Sequence, residues 1–286
     1  MSKSILVVGA TGKTGSEVVR LLAAKDIHVL AATRNPTLAT PGLPLKAKAI
    51  VFNFDRPETF GPALHGVEKV FLMARPADPH SDRAAIPFLE EARRHGVKLI
   101  VNLTAIGVER DPTFVLRVLE MYIEESGIPY THIRPNWFMQ NFSSNPMLAD
   151  IRMTGALHLP AGEAAISFID VRDVAAVAST VLTESHHTGK SYTLTGGESL
   201  THYQVAEALS RHSGKKISYQ PITEDFARET LTNARIAPDV IERWAGFYKM
   251  VREGFCAEIS RDTEVILGRP PIPFAQYATD YCAVWK

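Results

Sequence analysis

The chain has no excess of charge of either sign. Its 31 Lys and Arg balance 31 Asp and Glu across 286 residues. A nucleic-acid or membrane-surface partner calls for a basic face, so the balance argues against both. Cysteine is scarce: Cys256 and Cys282, both late in the chain, supply no disulfide framework and point to a reducing compartment. No apolar run reaches the ~18 residues of a membrane span, and no basic stretch followed by an apolar one opens the chain. Neither a span nor a signal peptide is expected, and the expected location is the cytoplasm. Internal repeats and low-complexity segments are lacking as well. Apolar residues, by contrast, make up 45%, enough for a sizeable core in one large domain or two modest ones.

The most informative stretch is Ile5-Leu6-Val7-Val8-Gly9-Ala10-Thr11-Gly12-Lys13-Thr14-Gly15. Four apolar residues, three of them β-branched, read as a buried parallel strand. Val18, Val19, Leu22 and Ala23 then recur at helical spacing. A strand, a glycine loop and a helix in this order aim backbone N–H groups and a helix N-terminus at one point, where a phosphate binds. Gly9 allows the tight turn, Gly12 lets a pyrophosphate approach, and Gly15 lets the helix pack closely on the strand. The spacing is G-x-x-G-x-x-G rather than G-x-G-x-x-G. Gly9, Thr11, Gly12, Lys13, Thr14 and Gly15 are therefore the first cofactor-binding candidates.

The second strand is expected over His28–Thr33. Its end usually carries an acid that bonds the ribose hydroxyls of NAD, yet Thr33-Arg34-Asn35 has none. A carboxylate would repel a 2′-phosphate, whereas Arg34 can pair with it, and Lys13 adds a second positive charge. This pattern favours NADP(H), with NAD(H) left open; the plain alternative for Arg34 is a solvated loop charge. Residues 36–46, with three prolines and a glycine, read as a loop. Further strands are expected over Ala49–Phe54, Val67–Met73, Lys98–Leu103 and Pro129–Arg134, with helices over Ser81–His95 and Thr113–Ser126. The second of these helices carries Val115, Val118, Leu119 and Tyr122 as its apolar stripe. Asp55 either accepts from the adenine amine or caps the turn at Pro57. Strand–helix alternation makes an α/β fold with a parallel, doubly wound sheet, whose ligands lie at the carboxyl ends of the strands. Met73 and Thr104 end two of those strands and join the cofactor candidates. Residues 221–255 read as helices.

Gly-Ala-Thr-Gly-Lys-Thr-Gly, followed by Ser-Gly-Ile-Pro-Tyr-Thr-His-Ile-Arg-Pro-Asn-Trp-Phe-Met-Gln-Asn, resembles the NmrA-like branch of the atypical short-chain dehydrogenases. Phe168–Ala175, Tyr192–Gly196 and the stretch from Leu200 to Ile217 extend the likeness to about residue 230. The resemblance implies a seven-stranded Rossmann sheet with a small, mostly helical C-terminal substrate lobe. The expected division is a Rossmann domain over 1–153 and a lobe over 154–286, with 166–195 returning to the sheet. Relatives of this branch include quinone, azo-dye and triphenylmethane-dye reductases, ergot-alkaloid dehydrogenases and non-catalytic redox-sensing regulators. A homodimer is compatible with it.

The proton donor of ordinary short-chain dehydrogenases, Tyr-x-x-x-Lys, is lacking. Tyr122 sits on the expected helix, but position 126 is Ser, and no lysine occurs between 99 and 189. Arg117 lies near the turn where a related branch places a lysine, yet arginine stays protonated and is a poor general acid. No catalytic residue is assigned. Hydride transfer to an acceptor that draws its proton from water fits the sequence: quinones, dyes and iminium ions are of that kind. Asn136, Trp137 and Phe138 follow the sixth strand, where nicotinamide and acceptor would meet. Asn136 is a cofactor candidate; Trp137 and Phe138 are substrate candidates whose alternative is core packing. Asp170 and Asp173 read as a helix cap and a first-turn acid rather than as paired catalytic acids. His186-His187 has no evident third ligand, so no metal is expected. The leading expectation is an NADPH-dependent reductase of a flat hydrophobic or cationic small molecule. The competing one is a redox sensor that reads NADP(H) and signals to a protein partner.

Overall fold

The computed structural model describes residues 4–75 and 78–286. Strands and helices alternate from the start: β1 Ser4–Val7, α1 Lys13–Ala24, β2 Val29–Thr33, α2 Pro36–Ala39, β3 Ala47–Val51, α3 Phe60–Leu64, β4 Val67–Met73 and α4 Ser81–Arg94. β5 Leu99–Leu103, α5 Val115–Glu125, β6 Tyr130–Pro135, α6 Met147–Thr154, β7 Ala156–Leu159, β8 Ala165–Ile166, α7 Val171–Thr183 and β9 Lys190–Leu194 follow. The chain ends with β10 Leu200–Thr201, α8 His202–Ser213, β11 Ser218–Pro221, α9 Glu224–Asn233, α10 Pro238–Arg252, α11 Asp262–Leu267 and α12 Phe274–Asp280. Two compact units result. The first reaches to Pro135 and regains Val171–Leu194 and Ile266–Gly268; the second comprises Asn136–Asp170, Thr195–Val265 and Arg269–Lys286.

The first unit is built on a seven-stranded sheet in the order β3-β2-β1-β4-β5-β6-β9. Every pairing in it is parallel. Leu6, Val70 and Ile100 are fully buried and pack with Phe88 and Leu89 of α4 and Leu119 and Ile123 of α5. The alternate residues Val7, Phe71 and Val101 are equally buried and face the other way, the side on which α1 and α7 pack together. Both faces of the sheet are thus covered, which is why β1, β2 and β5 read as near-continuous apolar runs rather than alternating ones. The expected Rossmann-type, doubly wound sheet is what forms.

The second unit packs Phe142, Phe168, Tyr248, Phe274, Tyr277 and Trp285 into one cluster. Two small ribbons frame it: β7 pairs with β11 in parallel, and β8 with β10 antiparallel. Thr201 opens α8 with a capping box, its hydroxyl accepting from Gln204 N–H while the Gln204 side chain accepts from Thr201 N–H.

Local expectations need correction in three places. Residues 36–46 are not all loop. Asn35 caps α2 by accepting from Leu38 N–H, and Pro36 supplies the first helical position, where its missing N–H costs nothing. β3 lies two residues earlier at its start than expected, over Ala47–Val51. The buried residues of α5 are Leu119, Glu120 and Ile123, with Leu116 and Tyr122 partly buried against the same core, so the stripe leaves out Val115 and Val118.

Glu120 is therefore a carboxylate in the core. It is fully buried and accepts from Thr104 Oγ1 at 2.7 Å, from Arg134 Nε and Nη2 at 3.0 and 2.7 Å, and from Arg117 Nη1 at 3.0 Å. Arg117 continues to Glu124 through bonds of 2.6 and 3.1 Å. Burial by itself would raise the Glu120 pKa; the Arg134 guanidinium, with His132 and the Thr104 hydroxyl, outweighs it and holds the pKa below the ordinary 4.5. A carboxyl with a depressed native pKa adds stability that is complete above its unfolded pKa and is lost as pH falls through the native one. Glu120→Gln removes the buried counter-charge of Arg134, leaving it only the longer contact to Glu109 at 3.5 Å, and should destabilise the protein by about 3–5 kcal/mol. Urea unfolding at neutral pH should show this loss, and acid unfolding should show the gap narrowing below pH ~4 as the wild-type carboxyl protonates. Equal stability at neutral pH would mean the network is not needed for the fold.

Candidate functional site

The glycine loop between β1 and α1 takes its shape from two close approaches. Gly9 has φ +77°, a conformation that L side chains rarely adopt, and a Cβ there would lie 2.5 Å from Met73 Cε. A Cβ on Gly15 would fall 2.2 Å from the Gly9 carbonyl oxygen, so the helix starts hard against the turn. Gly12 is the N-cap of α1 and carries no side chain to cap it; its N–H donates to Gly9 O at 2.9 Å. Gly12 thus offers no side chain to the first-turn N–H groups, the geometry of a helix start that can accept a phosphate. Thr14 and Gly15 are buried, while Thr11 and Lys13 lie at the surface. Partial covering of the Lys13 ammonium lowers its pKa.

The loop opens on a cavity of about 510 Å³ along the carboxyl ends of β1 to β4. Gly9, Thr11, Gly12, Arg34, Asp55 and Met73 all line it, so the first unit brings these six expected cofactor residues together. Arg34 is exposed at the rim and forms no ion pair among the described residues. Asp55 does not cap the short turn at Pro57; Arg56 holds the N-cap position there. The Asp55 carboxylate instead pairs with Arg75 Nη2 at 2.5 Å. Arg75 is a rim residue that the sequence reading missed. It also reaches Asp78 at 3.5 Å and lies 5.9 Å from the Phe54 ring centroid. Its one sequence signal is its position directly after Met73-Ala74, at the end of β4.

The other expected residues are occupied within the protein. Thr104 follows β5 and directs its hydroxyl proton to Glu120, leaving its oxygen as an acceptor. In the second unit, Asn136 is buried and donates to Ser167 Oγ and Cys256 O, both at 2.8 Å, while its oxygen accepts from Trp137 N–H. Trp137 is half-buried, its ring 5.1 Å from that of Tyr248. Phe138 is half-buried too, in a bridge to Ile169. Asp170 directly precedes α7 and accepts from Gln140 Nε2 at 2.8 Å; Asp173 lies in the first turn of α7. Tyr122 donates to Glu90 Oε1 at 3.4 Å, and burial, then that carboxylate, raises its pKa above 10. The view that His186-His187 lacks a third ligand is corrected: the Glu184 carboxylate lies 3.6 Å from His186 Nε2 and 3.7 Å from His187 Nε2.

The chemistry of the β1–β4 cavity suits a dinucleotide: a side-chain-free cradle for a pyrophosphate, an uncapped helix start, and arginines on the rim. The two glycines should separate by substitution. Gly15→Ala forces backbone apart and should destabilise the fold by about 1–3 kcal/mol or more in urea unfolding. A Cβ at Gly12 meets only Gly9 O at 3.3 Å and Met73 Cε at 3.8 Å. Gly12→Val should therefore fold while losing nicotinamide-cofactor binding in a calorimetric titration. A folded Gly12→Val protein with undiminished affinity would remove the loop from the site.

Residues 9–185 match the family described as NAD(P)H-binding, and residues 117–254 match the NmrA-like family. The chain is 32% identical over 285 residues to the NAD(P)H azoreductase of Xenophilus azovorans, covering 98% of this chain and 99% of that one. Its fold is similar to the triphenylmethane reductase of Citrobacter sp. complexed with NADP(H), with a TM-score of 0.83, 26% identity, and 98% and 99% of the two chains covered. It is also similar to an NADPH-dependent quinone oxidoreductase from Escherichia coli, with a TM-score of 0.79, 26% identity, and 96% and 98% covered.

Proposed function

The chain belongs to the NmrA-like family of NAD(P)H-binding proteins, and on that premise we propose that it is an NADPH-dependent reductase of a flat hydrophobic or cationic acceptor. Quinones, azo and triphenylmethane dyes and imines make up that class, as the azoreductase, triphenylmethane reductase and quinone oxidoreductase similarities suggest. The observation that carries the reading is the first unit's cavity, whose glycine cradle and Arg34 rim suit a phosphorylated dinucleotide. Gly9, Thr11, Gly12, Lys13, Thr14 and Gly15 hold the pyrophosphate, Arg34 reads the 2′-phosphate, and Asp55 and Met73 border the adenosine half. Within the first unit Thr104 borders the nicotinamide half; Asn136 of the second unit stays the further cofactor candidate, and Trp137 and Phe138 the acceptor candidates. Thr104, with its proton held by Glu120, offers only a lone pair and so orients a donor rather than supplying a proton. The bound reduced nicotinamide supplies the hydride.

The helix α5 carries no tyrosine–lysine acid. Ser126 stands where the lysine of Tyr-x-x-x-Lys would be, and its hydroxyl donates to Ile123 O at 2.7 Å. Tyr122, raised in pKa and bonded to Glu90, holds its proton more tightly than free tyrosine. Acceptors that need no protein acid fit this arrangement: a carbocation is neutralised by the hydride itself, and a reduced quinone takes its proton from water.

The experiment is a screen of NADPH oxidation, followed by loss of its absorbance, against a quinone, an azo dye, a triphenylmethane dye and a cyclic imine. Turnover with at least one is expected. Tight NADPH binding without turnover of any would move the assignment to a redox sensor. Two substitutions sharpen it. Arg34→Ala should cost about 1.5–3 kcal/mol of NADPH affinity and little for NADH, read by parallel titrations. Equal losses would show that Arg34 does not read the phosphate. Tyr122→Phe should keep most of kcat/KM with the best acceptor; a fall of about 10³-fold in a stable variant would reveal an acid–base tyrosine.

A further inference from the structure

The turn from α7 to β9 brings together three side chains that the nicotinamide chemistry does not use. Glu184, His186 and His187 place one ligand atom each within 4.8 Å of the other two. The contacts from the Glu184 carboxylate to the two imidazoles, 3.6 Å and 3.7 Å, are too long for hydrogen bonds. They are close to the edge of a coordination tetrahedron, which is about 3.3–3.4 Å for metal–ligand bonds of about 2.0–2.1 Å. The two imidazoles lie side by side, with centroids 4.0 Å apart and planes inclined by 38°.

His187 supplies a second, independent observation. It is only 3% exposed, yet its Nε2 makes no hydrogen bond among the described residues. A buried ring nitrogen left without a partner is costly unless something fills the role. Its other nitrogen, Nδ1, lies 2.8 Å from the Tyr192 hydroxyl. With Nδ1–H donating to that oxygen, Nε2 keeps a lone pair aimed toward Glu184, the arrangement by which a neighbouring oxygen orients a metal-ligating histidine. The turn is already braced on β6, with Thr131 Oγ1 donating to His187 O at 2.9 Å and Gly189 N–H to Tyr130 O at 2.7 Å.

We propose that Glu184, His186 and His187 form a binding site for one divalent transition-metal ion, Zn²⁺ by its two-imidazole, one-carboxylate donor set, which clasps the last strand of the sheet to the helix before it. Water completes the tetrahedron. The site lies where β9 begins, whereas the dinucleotide cavity lies at the carboxyl ends of β1 to β4, so the metal is structural and takes no part in hydride transfer. The other clustered group of this kind, Glu120, Glu124 and His132, also holds a buried ring nitrogen without a hydrogen bond, His132 Nε2, but its two carboxylates are already neutralised by Arg117 and Arg134.

The test uses the full-length protein stripped of metal by a chelator and titrated with Zn²⁺ by calorimetry. One equivalent should bind. Glu184→Gln and His186→Ala alter exposed side chains and should each weaken binding at least tenfold while leaving the fold intact by circular dichroism. Tyr192→Phe should weaken it by about 10–100-fold through the lost orientation of His187. Co²⁺ in place of Zn²⁺ should give the intense visible bands of a tetrahedral site, and these should vanish in His186→Ala. Zn²⁺ should raise the Tm of the wild-type protein and not that of His186→Ala. Absence of one-equivalent binding, or binding unchanged in both Glu184→Gln and His186→Ala, would overturn the proposal.

Discussion

The approach of Gly15 to the Gly9 carbonyl is the constraint on which the rest of the first unit depends. With a Cβ placed 2.2 Å from that oxygen, only glycine lets α1 begin so close to the end of β1. That closeness sets the helix start beside the carboxyl ends of β1 to β4 and leaves its first N–H groups uncapped. Gly9 at φ +77° turns the chain, and Met73 Cε closes over the same point from β4. Packing and the proposed phosphate site thus share their residues. A substitution that harms one need not harm the other: Gly15 acts on the packing, Gly12 on the space left for a ligand.

A second constraint lies deeper. Glu120 takes a core position on α5 that an apolar residue would ordinarily fill, and it survives there because Arg134, Arg117 and Thr104 satisfy its oxygens. The network joins the end of β5 to α5 and β6. It also decides what Thr104 can do, since its one proton is already donated. With Ser126 four residues after Tyr122 and Glu120 in the core, α5 serves mainly to hold charge there. The proposed substrate class follows from that reading: acceptors that draw their proton from water.

Much of this was legible in the sequence, and the failures have identifiable causes. β4 was placed to the residue, because it opens directly after Gly66 and closes on the apolar run Val70–Met73. The glycine loop was legible because its signal is local: three glycines between an apolar run and a helical stripe. α2 was missed although its cap was in view, as prolines outweighed Asn35 and Pro36 at a helix start. The pairing of Asp55 with Arg75, and of Glu120 with Arg134, joins residues 20 and 14 apart, and no periodicity reports such partners. The stripe of α5 was misread for the same reason, since a buried glutamate looks like a solvated one until its arginines are located. Glu184 was two residues from the histidines and was passed over because carboxylates near a helix end are ordinarily read as surface charge.

The central claim is hydride transfer without a proton donor from the protein. It is tested most directly by kinetic isotope effects on single turnover of the best acceptor. The account predicts a primary deuterium effect when the transferred hydrogen of NADPH is replaced by deuterium. It also predicts a rate of the hydride step that is flat across the pH range of the stable protein. A rate that follows one ionisation, together with a solvent deuterium effect on the same step, would contradict it and require an acid in the site.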